Sequence, residues 1–170
     1  MIDCHTHELL GWHYHASAKR AQLRYGEINL EEARKYFQVA ADQGHRYSQK
    51  EYGRMCYDGK GGDKNFEAAR KYLRLCLESN KYNDAKANHC YAIMCARGEG
   101  GPKDRAKARE NFKLAADDKY ARSSVYANAT AAANDYAFMC KNGLGGEVDL
   151  QEANKYFKLV KEKSNKSAVT

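Results

Sequence analysis

Three stretches of the sequence align without a gap: YGRMCYDGKGGDKN at Tyr52–Asn65, YAIMCARGEGGPKD at Tyr91–Asp104 and YAFMCKNGLGGEVD at Tyr136–Asp149. Their leading tyrosines lie 39 and 45 residues apart. Each stretch is followed by a second matching segment, and a further copy of that segment, EARKYFQVAA from Glu32, precedes the first stretch. Self-similarity at this period is typical of a repeat architecture, so the repeat is the unit from which we predict the fold.

Both parts of the repeat have the apolar spacing of a helix. The second part, helix B, has apolar residues at i, i+3, i+4, i+7 and i+8, as in Ala33, Tyr36, Phe37, Ala40 and Ala41. The first part, helix A, runs into glycines that can end a helix in a left-handed conformation. Neither helix buries its apolar face alone, so we expect the opening stretch to supply a first helix A, with Leu10 at the position of Tyr52.

The sequence therefore predicts an all-α protein of about four helix-turn-helix repeats in a single domain, residues 1–170. The predicted repeats span approximately 3–44, 45–82, 83–127 and 128–163, with 164–170 as a tail. The apolar positions of helix B are predicted core, namely Ala33, Ala69, Ala108 and Ala153 with Phe37, Leu73, Phe112 and Phe157.

Composition sets the class of protein and of partner. Apolar residues make up 43% of the 170 residues, charged residues 30%, and there is one proline, which indicates a soluble globular chain. We expect an intracellular, cytoplasmic location, because no apolar run is long enough for a membrane span and the N-terminus lacks the features of a signal peptide. The six cysteines have no metal-binding spacing and are predicted to be reduced thiols in the core. The net charge of +7 favours acidic partners.

The repeat resembles the Sel1-like repeat, a relative of the tetratricopeptide repeat, in its pattern L-G-x-x-Y, then G-x-G, then A-x-x-Y-[YF]-x-x-A-A-x-x-G. The first copy matches it through Leu10-Gly11-Trp12-His13-Tyr14 and the run from Glu32 to Gly44, and later copies keep the G-x-G. One departure is a glycine after G-x-G where the family has an apolar residue: Gly62, Gly101 and Gly146. The resemblance implies an α/α right-handed superhelix (solenoid) that acts as a scaffold or adaptor, without catalysis and without a cofactor.

Two motifs suggest chemistry, and neither is supported by its context. Asp3-Cys4-His5-Thr6-His7 has the outline of a D-x-H-x-H metal-hydrolase motif, but alternate residues lie about 200° apart on a helix, so we predict no metal site. The G-x-G-G loops lack the preceding strand and the Lys-Ser/Thr pair of a phosphate-binding loop. A metal-dependent hydrolase is therefore kept only as a minor alternative.

The resemblance also implies where a partner binds, because the A helices of such stacked pairs line the concave face. The variable A-helix positions that point into it are Glu8, Trp12 and His15; Lys50, Arg54 and Tyr57; His89, Ile93 and Arg97; and Asn134, Phe138 and Lys141. This stripe mixes aromatic residues with cations, which are the residue types that anchor interfaces. It predicts a non-enzymatic adaptor that binds a peptide or protein segment with acidic groups.

Other functions stay open from the sequence alone. The main alternative is a scaffold that binds through its convex face or ends, or self-associates. A nucleic-acid-associated module is a further alternative, because the chain is basic and its last helix has Lys155, Lys158, Lys161 and Lys163. However, acidic residues are interspersed throughout and no recognition module is present.

Overall fold

The computed structural model describes residues 30–78, 84–117 and 127–167, together with the single residue Ala16. Within these ranges the chain forms helices and no strand, which confirms the all-α fold class. No helix in the same ranges is long and apolar enough to cross a bilayer. The helices are α1 (Leu30–Asp42), α2 (Arg46–Asp58), α3 (Phe66–Glu78), α4 (Ala85–Arg97), α5 (Arg105–Ala116), α6 (Ala127–Lys141) and α7 (Leu150–Ser167).

Residue contacts divide the chain into two compact units, Met1–Asn80 and Lys81–Thr170. In the first unit, α2 packs against both α1 and α3. In the second unit, α4 to α7 pack in chain order, and α4 also contacts α6. By the repeat alignment, α2, α4 and α6 are A helices and the other four are B helices. The predicted first A helix, in the opening stretch Met1–His15, lies outside the described residues.

The B helices bury the face that the apolar spacing predicts. In α1, Ala33, Phe37, Ala40 and Ala41 are almost fully buried, and the equivalent predicted core residues of α3 and α5 are buried as well. Burying a leucine or phenylalanine side chain contributes about 1.5–3 kcal/mol, so these faces hold the helices together. Phe157 of α7 is only half-buried, because among the described helices α7 packs closely against α6 alone.

Tyrosines join consecutive B helices in both units. The Tyr72 hydroxyl of α3 donates to Asp42 at the end of α1, and its ring lies edge-on to Tyr52 with centroids 4.9 Å apart. The second unit repeats this arrangement with Tyr156, Asp117 and Tyr136. Burial, together with the hydrogen bond to Asp42, raises the pKa of Tyr72 well above its usual value. The aspartate therefore holds each tyrosine in its protonated form.

The A helices of the first two described copies end at glycines with a left-handed backbone, as the sequence predicts. Gly59 (φ 75°) ends α2 and Gly98 (φ 79°) ends α4, and their N–H groups donate to the carbonyls of Met55 and Met94. A left-handed glycine is the usual way to end a helix, because it has no Cβ to clash with the backbone.

The glycine loop of one repeat lies directly on the start of the preceding B helix. A Cβ added at Gly61 would be 2.1 Å from the carbonyl oxygen of Leu30, and one at Gly145 would be 2.1 Å from the carbonyl oxygen of Arg105. Both distances are far below van der Waals contact, so only glycine fits. The loop glycines therefore set the packing of one repeat on the next within each unit.

The extra glycine after G-x-G makes room for an arginine of the preceding B helix. A Cβ at Gly62 would be 3.0 Å from Arg34 Nη1, and one at Gly146 would be 2.7 Å from Arg109 Nη1. Arg34 and Arg109 each donate to a loop carbonyl, at 2.9 and 2.8 Å. An apolar side chain in this place would displace the guanidinium. At Gly62 and Gly146, the glycine that departs from the family pattern is therefore matched by an arginine on the preceding B helix.

Candidate binding cleft

A cleft of about 340 Å³ opens in the second unit between the A helices α4 and α6. It combines an apolar wall with three cationic side chains and one carboxylate. Its lining residues are Ile93, Ala96, Arg97, Lys103, Arg105, Phe112, Asp135, Phe138, Met139 and Leu144. A volume of this order holds one or two side chains of a bound segment, so we take the cleft as the candidate site.

Phe138 is the prominent apolar side chain of the cleft. Its neighbours on α6, Tyr136, Ala137, Met139 and Cys140, are buried against the adjoining helices, whereas Phe138 is on the opposite face and is 54% exposed. Large aromatic side chains in such a position are typical interface anchors, because they gain much buried area on contact.

Three cations surround this apolar wall. Arg97, the last residue of α4, has its Nη1 atom 3.6 Å from Glu99 Oε1. Lys103 and Arg105 lie on the connection from α4 to α5 and at the start of α5, and neither forms an ion pair with a described residue. The two cations are therefore available to an acidic ligand, while Arg97 is only weakly engaged.

A histidine and an aspartate connect α4 to α6 beside the cleft. His89 Nε2 lies 3.1 Å from Asp135 Oδ2, and the His89 ring lies against Phe112 with centroids 5.7 Å apart. Asp135 lines the cleft, so its carboxylate opposes the binding of acidic groups.

The structure brings three of the predicted residues of the second unit into one cleft: Ile93, Arg97 and Phe138. His89 lies behind the cleft and contacts it through Asp135. Asn134 and Lys141 are exposed on α6 and are not among the lining residues.

The predicted residues of the second copy, Lys50, Arg54 and Tyr57, lie on α2 and are half-buried. Lys50 Nζ lies 4.6 Å from the centre of the Tyr47 ring. Arg54 Nη1 lies 3.3 Å from Glu51, and Tyr57 lies edge-on to Phe66 at 5.7 Å. Glu8, Trp12 and His15 lie outside the described residues.

Two cations that give the cleft its charge, Lys103 and Arg105, were not predicted from the sequence. The predicted stripe came from helix A, whereas these residues follow the glycine loop and have no helical periodicity. The aligned copies nevertheless differ at these two positions in a way that the sequence shows. The equivalent residues are Lys64 and Phe66 in the second copy and Val148 and Leu150 in the fourth. Only the third copy has a cation at both positions.

Metal chemistry has no support in the part of the chain that the structure describes. No group of three or more His, Cys, Asp and Glu side chains is placed there to hold a metal ion. The D-x-H-x-H motif at Asp3–His7 is outside these residues.

Paired helices that repeat along the chain, with a cleft between successive A helices, define a helical-repeat protein. A family model, Sel1 repeat, matches residues 10–45, 46–75, 83–120 and 130–163. The chain belongs to the Sel1 repeat family, which confirms the resemblance found in the sequence. Sel1 repeats are commonly protein-interaction scaffolds.

Two solved structures are similar to this chain. The crystal structure of a Sel1 repeat protein from Oxalobacter formigenes is 25% identical, with a TM-score of 0.72 over 90% of this chain and 58% of that one. The crystal structure of c5321, a protective antigen of uropathogenic Escherichia coli strains with an SLR fold, is 18% identical, with a TM-score of 0.58 over 90% of this chain and 38% of that one. A search of curated proteins found no match. These likenesses confirm the helical-repeat fold class.

Proposed function

We propose that the chain is a non-enzymatic scaffold that binds a peptide or protein segment with acidic groups, with the cleft of the second unit as its main site. This proposal rests mainly on the composition of one cleft. The predicted residues Ile93, Arg97 and Phe138 line it together with two cations that form no ion pair with a described residue, Lys103 and Arg105. Its charge and its apolar wall complement a segment that has both acidic and apolar side chains.

The two kinds of contact have different roles in this binding. Phe138 is already about half-buried, so covering its exposed 54% would contribute about 0.8–1.6 kcal/mol. An exposed ion pair contributes about 0.2–1 kcal/mol, because water and salt screen it. Phe138 therefore contributes more than any one of the three cations, and the cations select acidic segments and speed their association.

The other predicted residues contribute further contacts outside the cleft. Asn134 and Lys141 provide polar contacts on the exposed face of α6. His89 holds the position of Asp135 through their 3.1 Å contact. In the first unit Lys50, Arg54 and Tyr57, and in the opening stretch Glu8, Trp12 and His15, form further contact surfaces for a long segment.

Selection from a phage-displayed library of random dodecamers tests this proposal with the full chain. Peptides enriched on the wild type are tested on an Arg97→Glu/Phe138→Ala variant and on a Lys158→Glu/Leu159→Ala control. The control makes the same change of charge and removes an exposed apolar side chain from α7 instead. We expect the control to keep the enriched acidic peptides and the cleft variant to lose them at least tenfold. Equal binding by both variants would refute the cleft.

One observation favours binding through the B helices instead. Val39, Leu114 and Leu159 occupy the same position of the repeat, and each is about 40% exposed (38%, 44% and 41%). The repeat pattern does not require an apolar residue there. Multi-angle light scattering tests whether Leu114 and Leu159 of the second unit mediate self-association: a dimer of wild type that Leu114→Lys and Leu159→Lys convert to monomer would support it.

The proposed compartment is the reducing cytoplasm. Cys56, Cys76, Cys90, Cys95 and Cys140 form no disulfide among the described residues, and all except Cys90 are buried. Buried thiols of this kind are typical of intracellular proteins. Fractionation of cells that express the tagged chain would test this, and its recovery outside the cytoplasm would contradict it.

A further inference from the structure

The third and fourth copies present different chemistry at the same two loop positions. The third copy has Lys103 and Arg105 there, and the fourth has Val148 and Leu150. All four side chains are exposed, so much of their surface is available to a partner. Their identities therefore affect what the surface contacts rather than how the repeats fold.

The repeat alignment places three apolar residues of the fourth copy at positions that share one surface in the third copy. In the third copy, Ile93, Lys103 and Arg105 line one cleft. The positions equivalent to them in the fourth copy are Phe138, Val148 and Leu150. These are the three most exposed large apolar side chains among the described residues, at 54%, 60% and 58%. We call these three residues the apolar patch, and Arg97, Lys103 and Arg105 the cationic patch.

Phe138 joins the two patches, because it lines the cleft and also belongs to the apolar patch. The patches are equivalent surfaces of successive repeats, and the A helices behind them, α4 and α6, are in contact. Helices in contact have axes about 8–10 Å apart, so the two patches are offset by about 10 Å. An extended chain covers about 3.3 Å per residue, so this offset corresponds to about three residues of a bound segment.

We propose that the bound segment has an acidic residue and a large apolar residue three positions apart, with the acidic residue on the cationic patch and the apolar residue on the apolar patch. This inference rests on the proposed function and names the class of partner for the same site. Charge complementarity assigns the acidic residue, since Lys103 and Arg105 have no ion-pair partner among the described residues. The apolar residue of the segment is assigned to the apolar patch because Phe138, Val148 and Leu150 are exposed and would be buried by it.

An exchange of the two patches tests the order of the residues as well as their types. The variant Lys103→Val/Arg105→Leu/Val148→Lys/Leu150→Arg swaps the side chains between the third and fourth copies and leaves the net charge unchanged. Because all four positions are exposed, the variant should fold as the wild type does, which far-UV circular dichroism checks.

The probes are synthetic dodecamers with one glutamate and one leucine in a glycine-serine background, measured by fluorescence polarisation with the full chain. One series has glutamate before leucine, the other has the reverse order, and spacings from two to six are compared. Because the segment binds in one direction, we expect one order at a spacing of three to bind at least fivefold more tightly than the other. The exchange variant should prefer the opposite order.

Other outcomes separate this inference from the proposed function. Peptides that bind the wild type and lose binding in the Arg97→Glu/Phe138→Ala variant, but show no preference for order or spacing, would overturn the two-patch inference and leave the cleft intact. The same preference in wild type and exchange variant would also overturn it. If the library selection yields no peptide that depends on the cleft, both the inference and the proposed function fail.

Discussion

Replacing Gly61 by alanine tests whether direct backbone contact sets the packing of one repeat on the next. Gly61 has a φ of +69°, and a Cβ there would lie 2.1 Å from the Leu30 carbonyl oxygen and 2.6 Å from its carbonyl carbon. Both are backbone atoms at the start of α1, so no side-chain rotation can relieve the clash. We expect the glycine loop to move away from α1 and to weaken the contact of Gly62 with Arg34.

Gly44 provides the matched control in the same unit. It has a φ of +83°, and a Cβ there would meet no atom within 4 Å. A left-handed alanine costs about 1–2 kcal/mol, and the reduced freedom of the unfolded chain offsets about 0.4–1 kcal/mol of that cost. Gly44→Ala should therefore lower the free energy of unfolding by about 1 kcal/mol. The clash at Gly61 adds about 1–3 kcal/mol, so Gly61→Ala should lower it by about 3 kcal/mol.

Urea titrations followed by far-UV circular dichroism measure both variants against wild type. The midpoint for Gly61→Ala should be well below that for Gly44→Ala, with similar slopes for all three proteins. Equal midpoints for the two variants would mean that the loop does not rest on the start of α1 and that the loop glycines do not set the packing of one repeat on the next.

Three further predictions test other contacts. Arg109→Ala should lower the free energy of unfolding by about 1.5 kcal/mol in a urea titration, because it removes the charged hydrogen bond to the Glu147 carbonyl; an unchanged midpoint would contradict the arginine-glycine pair. Burial raises the pKa of Tyr52 from 10 to about 12, so stability should be complete below pH 10 and fall as pH rises from 10 to 12. Tyr52→Phe should make this alkaline loss of stability smaller. If thermal melts show the same drop in melting temperature from pH 9 to pH 11 for wild type and for Tyr52→Phe, the assignment to Tyr52 is refuted. Asp135→Asn should tighten the binding of acidic peptides by about two- to fivefold in fluorescence polarisation, because it removes the one carboxylate that lines the cleft, and weaker binding would contradict this.

The fold was largely predictable because its signals are periodic. The spacing of Ala33, Phe37 and Ala40 indicates one helical face, and these residues are buried as expected. The glycines that end the A helices were likewise predicted from their place in the repeat, and Gly59 and Gly98 have the left-handed backbone that this requires. In each case a local rule that applies to a few consecutive residues was enough.

The contacts that the sequence did not reveal depend on two repeats at once. Gly62 was recognised as a departure from the family pattern, but its reason became visible only when Arg34 of the preceding B helix was placed beside it. Lys103 and Arg105 were not predicted because the cleft that they line is formed by two successive repeats, with residues of both α4 and α6. Single-helix patterns do not contain this information, so Ile93, Arg97 and Phe138 were predicted and their cationic neighbours were not.

One loop links the stability of the array to its choice of partner. Its glycines are held by backbone contacts, as at Gly145 on the start of α5, and therefore allow almost no substitution. A few residues later, the side chains of Val148 and Leu150 are exposed. The rigid part of the loop thus fixes the place of the variable part beside the A-helix surface. Substitutions at these exposed positions should change which segment binds while leaving the unfolding midpoint nearly constant, and a large change of midpoint in the patch-exchange variant would show that the two roles are not separate.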